Sequence, residues 1–181
     1  MRRAVTVGVL VFASVALAQE AGGLTWKAPA KWNLEPARPM RAATYSIPAA
    51  KGDTEGAELG VFYFGEGQGG SVDANLQRWY GQFQPVDGKP PAQLAKTHKE
   101  TINGVSVTQV ELTGTYLQSP PGMMGGQQTP RPGFRLVGAI AQGPSGPVFF
   151  KMVGPQKTVS AAEADFKKLL KSLKKGGAAA L

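Results

Sequence analysis

Residues 96–116 read KTHKETINGVSVTQVELTGTY, and the pair Asn103-Gly104 separates two runs that are rich in β-branched residues. Asn-Gly between alternating runs is a strong short-range signal for a two-residue hairpin, because both residues tolerate a positive φ angle. We therefore predict two adjacent antiparallel strands.

The second run of this hairpin has an irregular apolar pattern. Its spacing shifts by one residue between Val107 and Val110. Such a shift predicts a β-bulge near Thr108 and Gln109.

A glycine pattern precedes the hairpin in residues 64–79, which read FGEGQGGSVDANLQRW. Gly65, Gly67 and Gly70 have the G-x-G-x-x-G spacing of a dinucleotide cradle between a strand and a helix. That fold also needs a parallel strand ending in an acidic residue about 20 positions later. Asp87 has the spacing but lies in a Pro/Gly turn, and an antiparallel hairpin follows. We therefore predict a strand-to-helix turn with positive φ angles.

Further strands and helices complete an α+β pattern. Strands are predicted at Ala42–Ile47, Glu58–Phe64 (with both faces buried), 134–142 and 148–154. Apolar residues at helical spacing predict one amphipathic helix from Val72 to near Gln84 and another over 158–175. Together with the hairpin, they predict a mostly antiparallel β-sheet of about six strands with two main helices.

The ends of the two helices carry capping signals. Ser71 is a suitable N-cap for the first helix. Ser160 and Glu163 match a capping box for the second helix, and Gly176 matches its C′ glycine.

The chain begins with MRRAVTVGVLVFASVALAQE. Two arginines, a short apolar run and small residues at Ala16 and Ala18 predict a signal peptide over 1–18. The run is shorter than the roughly 20 residues of a spanning helix, so we expect cleavage near Ala18 and no stable membrane span afterwards. We expect a secreted or periplasmic protein with a single domain over 19–175 and a flexible tail over 176–181.

Composition limits the chemistry available to the mature chain. It has no cysteine, one histidine and a formal net charge of +8 before cleavage, so disulfides and thiolate sites are excluded. Nucleotide cofactors are scarce outside the cytoplasm, and we expect no cofactor and no nucleic-acid partner. The positive charge suits an anionic envelope component.

Catalytic patterns are weak in this sequence. His98 lies among lysines in KTHKE, which favours a solvated strand residue over a catalytic base. Ser172 and Lys175 match S-x-x-K, but this tetrapeptide alone is a weak signal. No coherent nucleophile, base and acid set emerges.

Paired carboxylates offer an alternative chemistry. Glu55, Glu58, Glu66 and Asp73 are close in sequence, so an envelope-polymer hydrolase that uses two carboxylates is a candidate function. Roles in turns and helix caps are the simpler explanation for each residue.

Methionine offers a third chemistry, because thioethers suit Cu(I). Met123 and Met124 are adjacent, and Met40 and Met152 lie elsewhere in the chain. Adjacent methionines are more often an adaptable apolar contact. We therefore predict no metal site and retain copper binding as an alternative.

Residues 117–133 (LQSPPGMMGGQQTPRPG) show no periodicity and predict a long exposed loop, which in a compact domain is often functional. We predict that it binds a partner through Met123, Met124, Gln127, Gln128 and Arg131. The competing surface is the lysine face of the last helix, formed by Lys167, Lys168, Lys171, Lys174 and Lys175.

The order of these elements resembles a known fold group. An opening W-x-x-P-x-x-W (Trp26, Pro29, Trp32), antiparallel strands around one helix and a closing amphipathic helix are similar to the PsbP-like α/β/α sandwich. The stretches MRAATYSIP, GQGGSVDANLQRW and PGFRLVGAI resemble exported bacterial proteins. The resemblance implies a binding or assembly role and assigns no catalytic residue.

The sequence thus favours a non-enzymatic binding or assembly module of the bacterial cell envelope. The expected partner is an envelope protein or an anionic envelope component. A carboxylate-based hydrolase and Met-based copper binding remain the alternatives.

Overall fold

A computed structural model describes residues 19–120 and 127–176 of the chain. It contains the following strands and helices in chain order: β1 (Gln19–Ala21), β2 (Leu24–Trp26), β3 (Asn33–Leu34), β4 (Ala43–Ile47), β5 (Ala57–Phe62), α1 (Val72–Tyr80), α2 (Pro91–Leu94), β6 (Lys96–Ile102), β7 (Val105–Gln118), β8 (Thr129–Gly143), β9 (Gly146–Pro155), α3 (Gln156–Lys171) and β10 (Lys174–Lys175).

The main sheet has seven strands in the order β3-β4-β5-β9-β8-β7-β6, and every neighbouring pair is antiparallel. A second sheet of three short strands has the order β1-β2-β10. The predicted hairpin is confirmed, since Asn103 and Gly104 connect β6 to β7 with φ angles of 49° and 77°. The α+β class is confirmed, with one more strand in the main sheet than the six expected.

The first face of the main sheet packs against α3 and the small sheet. Its core contains alternate residues of the strands and the inner face of the helix, including Leu24, Trp26, Tyr45, Leu59, Val107, Ala139, Phe150, Met152, Phe166, Leu169 and Leu170. This core contains more buried apolar residues than the core on the other face, so it contributes more of the hydrophobic stabilisation.

The second face packs against α1, and its core consists of Leu76, Trp79, Tyr80, Phe83, Val110, Leu112, Leu136, Ile140 and Phe149. Trp79 sits directly over Gly138, where an added Cβ would lie 2.5 Å from Cζ3 of the indole. The missing side chain at Gly138 therefore lets the helix approach the sheet. With helices on both faces, the predicted α/β/α sandwich is confirmed.

The N-cap predicted for α1 is confirmed. Ser71 is the N-cap of α1, and its Oγ accepts a hydrogen bond from the amide of Ala74 at 3.1 Å. The helix ends at Tyr80, before the predicted Gln84, because Gly81 caps it.

The capping box predicted for the last helix is wrong. That helix begins at Gln156, so Ser160 and Glu163 lie past its first turn. Asp53 caps it from a distant turn: Oδ2 accepts the amide of Thr158 at 2.9 Å and its hydroxyl at 2.7 Å. A cap supplied across 105 residues leaves no local sequence signal.

The C-terminal glycine prediction is also wrong. Ser172 is the C-cap of α3, and Gly176 instead donates its amide hydrogen to the carbonyl of Gly23 at 2.8 Å. This bond continues the pairing of β10 with β2.

The predicted bulge is misplaced. Thr108 and Gln109 pair with β8 in unbroken register, and the irregularity falls between Gly114 and Tyr116. The shift in apolar spacing has another cause. Val107 belongs to the core under α3, while Val110 belongs to the core under α1.

The predicted loop at 117–133 is wrong at both ends, because Leu117 and Gln118 extend β7 and residues from Thr129 onward begin β8. Gln118 pairs directly with Thr129. Paired strands thus take up seven of the seventeen residues of the expected loop.

The predicted signal peptide over 1–18 and the predicted tail over 176–181, apart from Gly176, lie outside the described residues. Over residues 19–120 and 127–176, none of the helices combines the length and the apolar character needed to cross a bilayer.

Candidate functional site

The second face of the main sheet carries a groove beside α1. Its volume is about 870 Å³. It is lined by residues of the segment from Asn33 to Glu58, of the turn after α1, of β9, and of the paired ends of β7 and β8. We call it the open groove and define it by Arg38, Arg41, Ser46, Glu58, Gln82, Tyr116, Gln118 and Phe134. Charged side chains occupy this part of the second face. Elsewhere on the same face, apolar side chains of the neighbouring strands form the core under α1.

Glu58 on β5 holds two arginines in the open groove. Arg38 Nη1 donates to Oε2 at 3.0 Å, and Arg41 Nη1 donates to Oε1 at 2.6 Å. Arg41 Nη1 also lies 3.3 Å from Oγ1 of the buried Thr44. Its guanidinium carbon lies 5.2 Å from the centroid of the Phe62 ring, so the Arg41 side chain is fixed in place over β5.

Lys151 on β9 contacts two residues of the open groove. Its ammonium donates to Oε1 of Gln82 and, at 3.2 Å, to the hydroxyl of Tyr116. In the sheet register it lies between Gly60 of β5 and Gly138 of β8. Because both neighbours are glycines, the lysine has no cross-strand side chain beside it.

The surroundings shift the pKa values of Lys151 and Tyr116. Burial, with a smaller contribution from Arg41, lowers the pKa of Lys151 to about 8, while Glu58 opposes the shift. Burial also raises the pKa of Tyr116, and Glu58 adds to this effect. Near pH 8 the lysine is thus partly neutral while the phenol keeps its proton.

Two of the four candidate carboxylates meet at the open groove. Glu55 and Glu58 both line it, but Glu55 is in an ion pair with Arg131 and Glu58 binds the two arginines described above. Glu66 lies in the glycine turn and Asp73 in the first turn of α1. The structure therefore brings one pair together and holds both members with arginine.

The residues expected to bind a partner are only partly described. Met123 and Met124 lie outside the described residues. Gln127 and Gln128 are exposed just before β8. Arg131 donates to Gln118 at 2.8 Å in addition to its ion pair, and its guanidinium carbon lies 4.7 Å from the ring centroid of Phe134, so Arg131 braces one wall of the open groove.

The isolated catalytic candidates His98 and Ser172 lie on different elements, and Ser172 has a structural role. His98 is exposed on β6, the edge strand of the main sheet. The hydroxyl of Ser172 donates to the carbonyl of Leu169 at 2.6 Å and accepts the amide of Lys27 at 2.9 Å. The second of these hydrogen bonds ties the end of α3 to the residue that follows β2.

The other two methionines do not form a site together. Met152 is fully buried in the core under α3, whereas Met40 is 74% exposed in a turn with a φ angle of 61°. Across the parts of the chain that the structure describes, no group of three or more His, Cys, Asp or Glu residues is arranged to hold a metal ion.

The glycine turn has the predicted backbone. Gly65, Gly67 and Gly70 have φ angles of 103°, 68° and 74°. The carbonyl of Gly69 accepts a hydrogen bond from the side chain of Asn75 in α1 at 2.6 Å. The strand before the turn has antiparallel neighbours only, unlike the parallel unit of a dinucleotide fold.

The lysine face of α3 is engaged in local ion pairs. Lys167 pairs with Glu163 at 2.7 Å, and Lys168 pairs with Asp165 at 3.3 Å. The hydrogen bond from Lys167 lowers the pKa of Glu163. Lys174–Lys175 lie in β10 instead of the helix.

Sequence patterns did not indicate Arg41, Tyr116 or Lys151. A single charge within the apolar run VFFKMVG was the available signal for Lys151. The cluster itself depends on strand order, because β5 and β9 are neighbours in the sheet but about 90 residues apart in the chain.

The arrangement defines an α+β sandwich with a charged groove on one face of an antiparallel sheet. No family model matches this chain, and no curated protein matches it. Among solved structures, the chain is similar to a Pseudomonas aeruginosa protein of unknown function, with 11% identity, a TM-score of 0.49, and coverage of 81% of this chain and 99% of that one. It is also similar to cyanobacterial PsbP (CyanoP) from Synechocystis sp. PCC 6803, with 10% identity, a TM-score of 0.49, and coverage of 93% and 98%.

Proposed function

We propose that the protein is a non-enzymatic binding module of the bacterial cell envelope and that the open groove receives its partner. The observation that carries the proposal is the cluster of Arg41, Glu58, Tyr116 and Lys151 at this groove. Half-buried charges cost free energy of folding unless they are well paired. Arg41 and Glu58 pair with each other, whereas Lys151 has neutral partners only in the described residues, and such an uncompensated charge fits a binding role better than a structural one.

The hairpin end formed by β7 and β8 contributes one wall of this surface. Gln118, Ser119 and Pro120 line the open groove, and Gln128 lies 3.5 Å from the hydroxyl of Ser119. We include Gln127, Gln128 and Arg131 in the proposed surface, because Arg131 links this wall to Glu55.

Export places the proposed partner in the periplasm or outside the cell. The apolar run before Ala18 supports cleavage by a signal peptidase. The partner would be an envelope protein or an anionic envelope component, to which the net positive charge of the chain is complementary.

A carboxylate-based hydrolase is the second candidate, favoured by the presence of Glu55 and Glu58 in one groove. Such enzymes need one carboxylic acid that stays protonated to donate to the leaving group. Both carboxylates instead accept hydrogen bonds from arginine, an arrangement that suits binding better than acid catalysis.

The direct pairing of Gln118 with Thr129 allows a clean test. Residues 119–128 are replaced by Asn-Gly, which forms a two-residue hairpin turn and preserves the strand register. We expect the variant to fold and to lose capture of the components that the wild-type protein binds in envelope extract. The control reverses the charges of Lys167 and Lys171 and should retain capture.

Two outcomes would overturn the proposal. Binding would lie on the lysine face if capture survives the loop replacement, depends on salt and disappears when the charges of α3 are reversed. Turnover of ester, peptide or glycan substrates that is abolished by Glu55→Gln or Glu58→Gln would make the protein a hydrolase.

A further inference from the structure

Lys151 has neutral hydrogen-bond partners only, among the residues that the structure describes. These are the carbonyl oxygen of the Gln82 side chain and the hydroxyl of Tyr116, and none of the ion pairs includes the lysine. An ammonium has three hydrogens to donate, and two are used here. A half-buried lysine of this kind lacks both a counter-charge and one acceptor.

Arg41, two residues before β4, reaches over β5, the strand next to that of the lysine. A Cβ placed on Gly60 would lie 3.4 Å from Arg41 Nη1, and Gly60 is the cross-strand partner of Lys151. The guanidinium uses Nη1 for Glu58 and Thr44, and its remaining N–H groups make no hydrogen bond within the described residues. Donors from β9 and from the segment before β4 are thus available on the same side of the sheet.

The local charge is unbalanced. Arg38, Arg41 and Lys151 are cationic, while Glu58 is the carboxylate that faces them, and Tyr116 is the neighbouring titratable group. One negative charge cannot neutralise three positive ones. An anion at this point would supply the missing charge and the missing acceptor.

We propose that Arg41, Tyr116 and Lys151 bind an oxyanion, a carboxylate or phosphate group presented by the partner of the open groove. This inference rests on the proposed function, because it assigns a chemical class to the same partner. Oxyanions accept charge-assisted hydrogen bonds from guanidinium and ammonium groups, and these are stronger than neutral hydrogen bonds. The phenol of Tyr116 adds a third donor.

The pH dependence of binding follows from the state of the lysine. Without a ligand, the pKa of Lys151 is about 8, lowered by burial and by Arg41 against the opposing effect of Glu58. A bound anion stabilises the ammonium and raises this pKa. Binding at pH 8 is therefore coupled to proton uptake, and affinity decreases as the pH rises from 7 to 9.

Titration of the mature protein with sodium phosphate and with sodium acetate tests this inference, with sodium chloride at equal ionic strength as the reference. We expect one of the two probes to raise the melting temperature saturably and to bind with uptake of about half a proton at pH 8, measured calorimetrically in two buffers. A response to phosphate alone assigns a phosphate group, and a response to acetate alone assigns a carboxylate.

Two variants test whether the response to the anion depends on Lys151. Lys151→Met should abolish the response, whereas Lys168→Met, which changes a surface lysine with a side chain that is 76% exposed, should retain it. If Lys151→Met does not fold, the proton uptake that accompanies binding to the wild-type protein tests the inference by itself. The inference is overturned if neither probe acts saturably, if binding takes up no proton, or if folded Lys151→Met responds like the wild type. Partner capture that still depends on residues 119–128 would then leave the binding function standing.

Discussion

Lys151 shows how a single residue can oppose the stability of its strand. It lies in an otherwise apolar run of β9 and makes two hydrogen bonds to neutral groups. Burial lowers its pKa to about 8 from the 10.5 of an unperturbed lysine. The folded protein therefore binds fewer protons than the unfolded chain between these two pH values.

The free energy of unfolding should consequently rise with pH from about 8 to 10. The full shift corresponds to an upper bound of roughly 3 kcal/mol. Above pH 10 the raised pKa of Tyr116 acts in the opposite direction, because the folded state then retains a proton that the unfolded chain loses. Urea unfolding at pH 7, 8, 9 and 10 measures the slope, and Lys151→Met should flatten it. Equal slopes in the two proteins would show that Lys151 titrates as an exposed lysine.

Two of the three buried tryptophans, Trp26 and Trp32, offer a matched pair of substitutions. Trp26 donates its indole hydrogen to the hydroxyl of the buried Tyr45 at 3.1 Å, whereas the indole nitrogen of Trp32 is buried without a partner in the described residues. Trp26→Phe leaves the hydroxyl of Tyr45 without this donor and should cost about 1–3 kcal/mol more than Trp32→Phe. Chemical denaturation of both variants measures the difference, and equal losses would contradict the role of this hydrogen bond.

At the level of elements, the contact between α1 and the sheet depends on Gly138. An added Cβ would lie 2.5 Å from the indole of Trp79, so Gly138→Ala should displace α1 and lower stability by about 1–3 kcal/mol. Gly114→Ala is the control, because its Cβ would lie 3.5 Å from Phe83, an ordinary contact distance. Thermal unfolding of the two variants compares their losses of stability. Similar losses would mean that the strand backbone, and not the helix contact, determines the cost.

The start of α3 provides a second prediction at this scale. Asp53 accepts two hydrogen bonds at the first turn of the helix, so Asp53→Ala should destabilise the protein by about 1–2 kcal/mol. Ser160→Ala, which removes an exposed hydrogen bond from Arg135, should cost less. The denaturation midpoints of the two variants show which substitution costs more stability. A larger loss of stability for Ser160→Ala would restore the capping role that the sequence suggested.

These elements also show what the sequence can and cannot predict. The hairpin at Asn103 and the cap at Ser71 were predictable, because their signals are local and their hydrogen bonds join nearby residues. The bulge was misplaced because β7 contributes to cores on both faces. The cluster around Lys151 was not predictable, since its members come together only through the strand order.

At the scale of the whole molecule, the two faces of the sheet are covered unequally. The sixteen-residue α3 and the small sheet cover the first face, whereas the nine-residue α1 packs on the second and leaves the open groove beside it. The charged cluster lies at this groove. The proposed function therefore follows from the short length of α1 as much as from any one residue.

Site-specific photo-cross-linking in living cells tests the central claim that the open groove binds an envelope partner. A photoreactive phenylalanine replaces Ser46, which lines the open groove, or Ser106, which is exposed on β7 outside the set of groove-lining residues. We expect a discrete adduct with an envelope component from position 46 and none from position 106. An adduct from position 106 alone, or no adduct from position 46 in a folded and exported protein, would contradict the account.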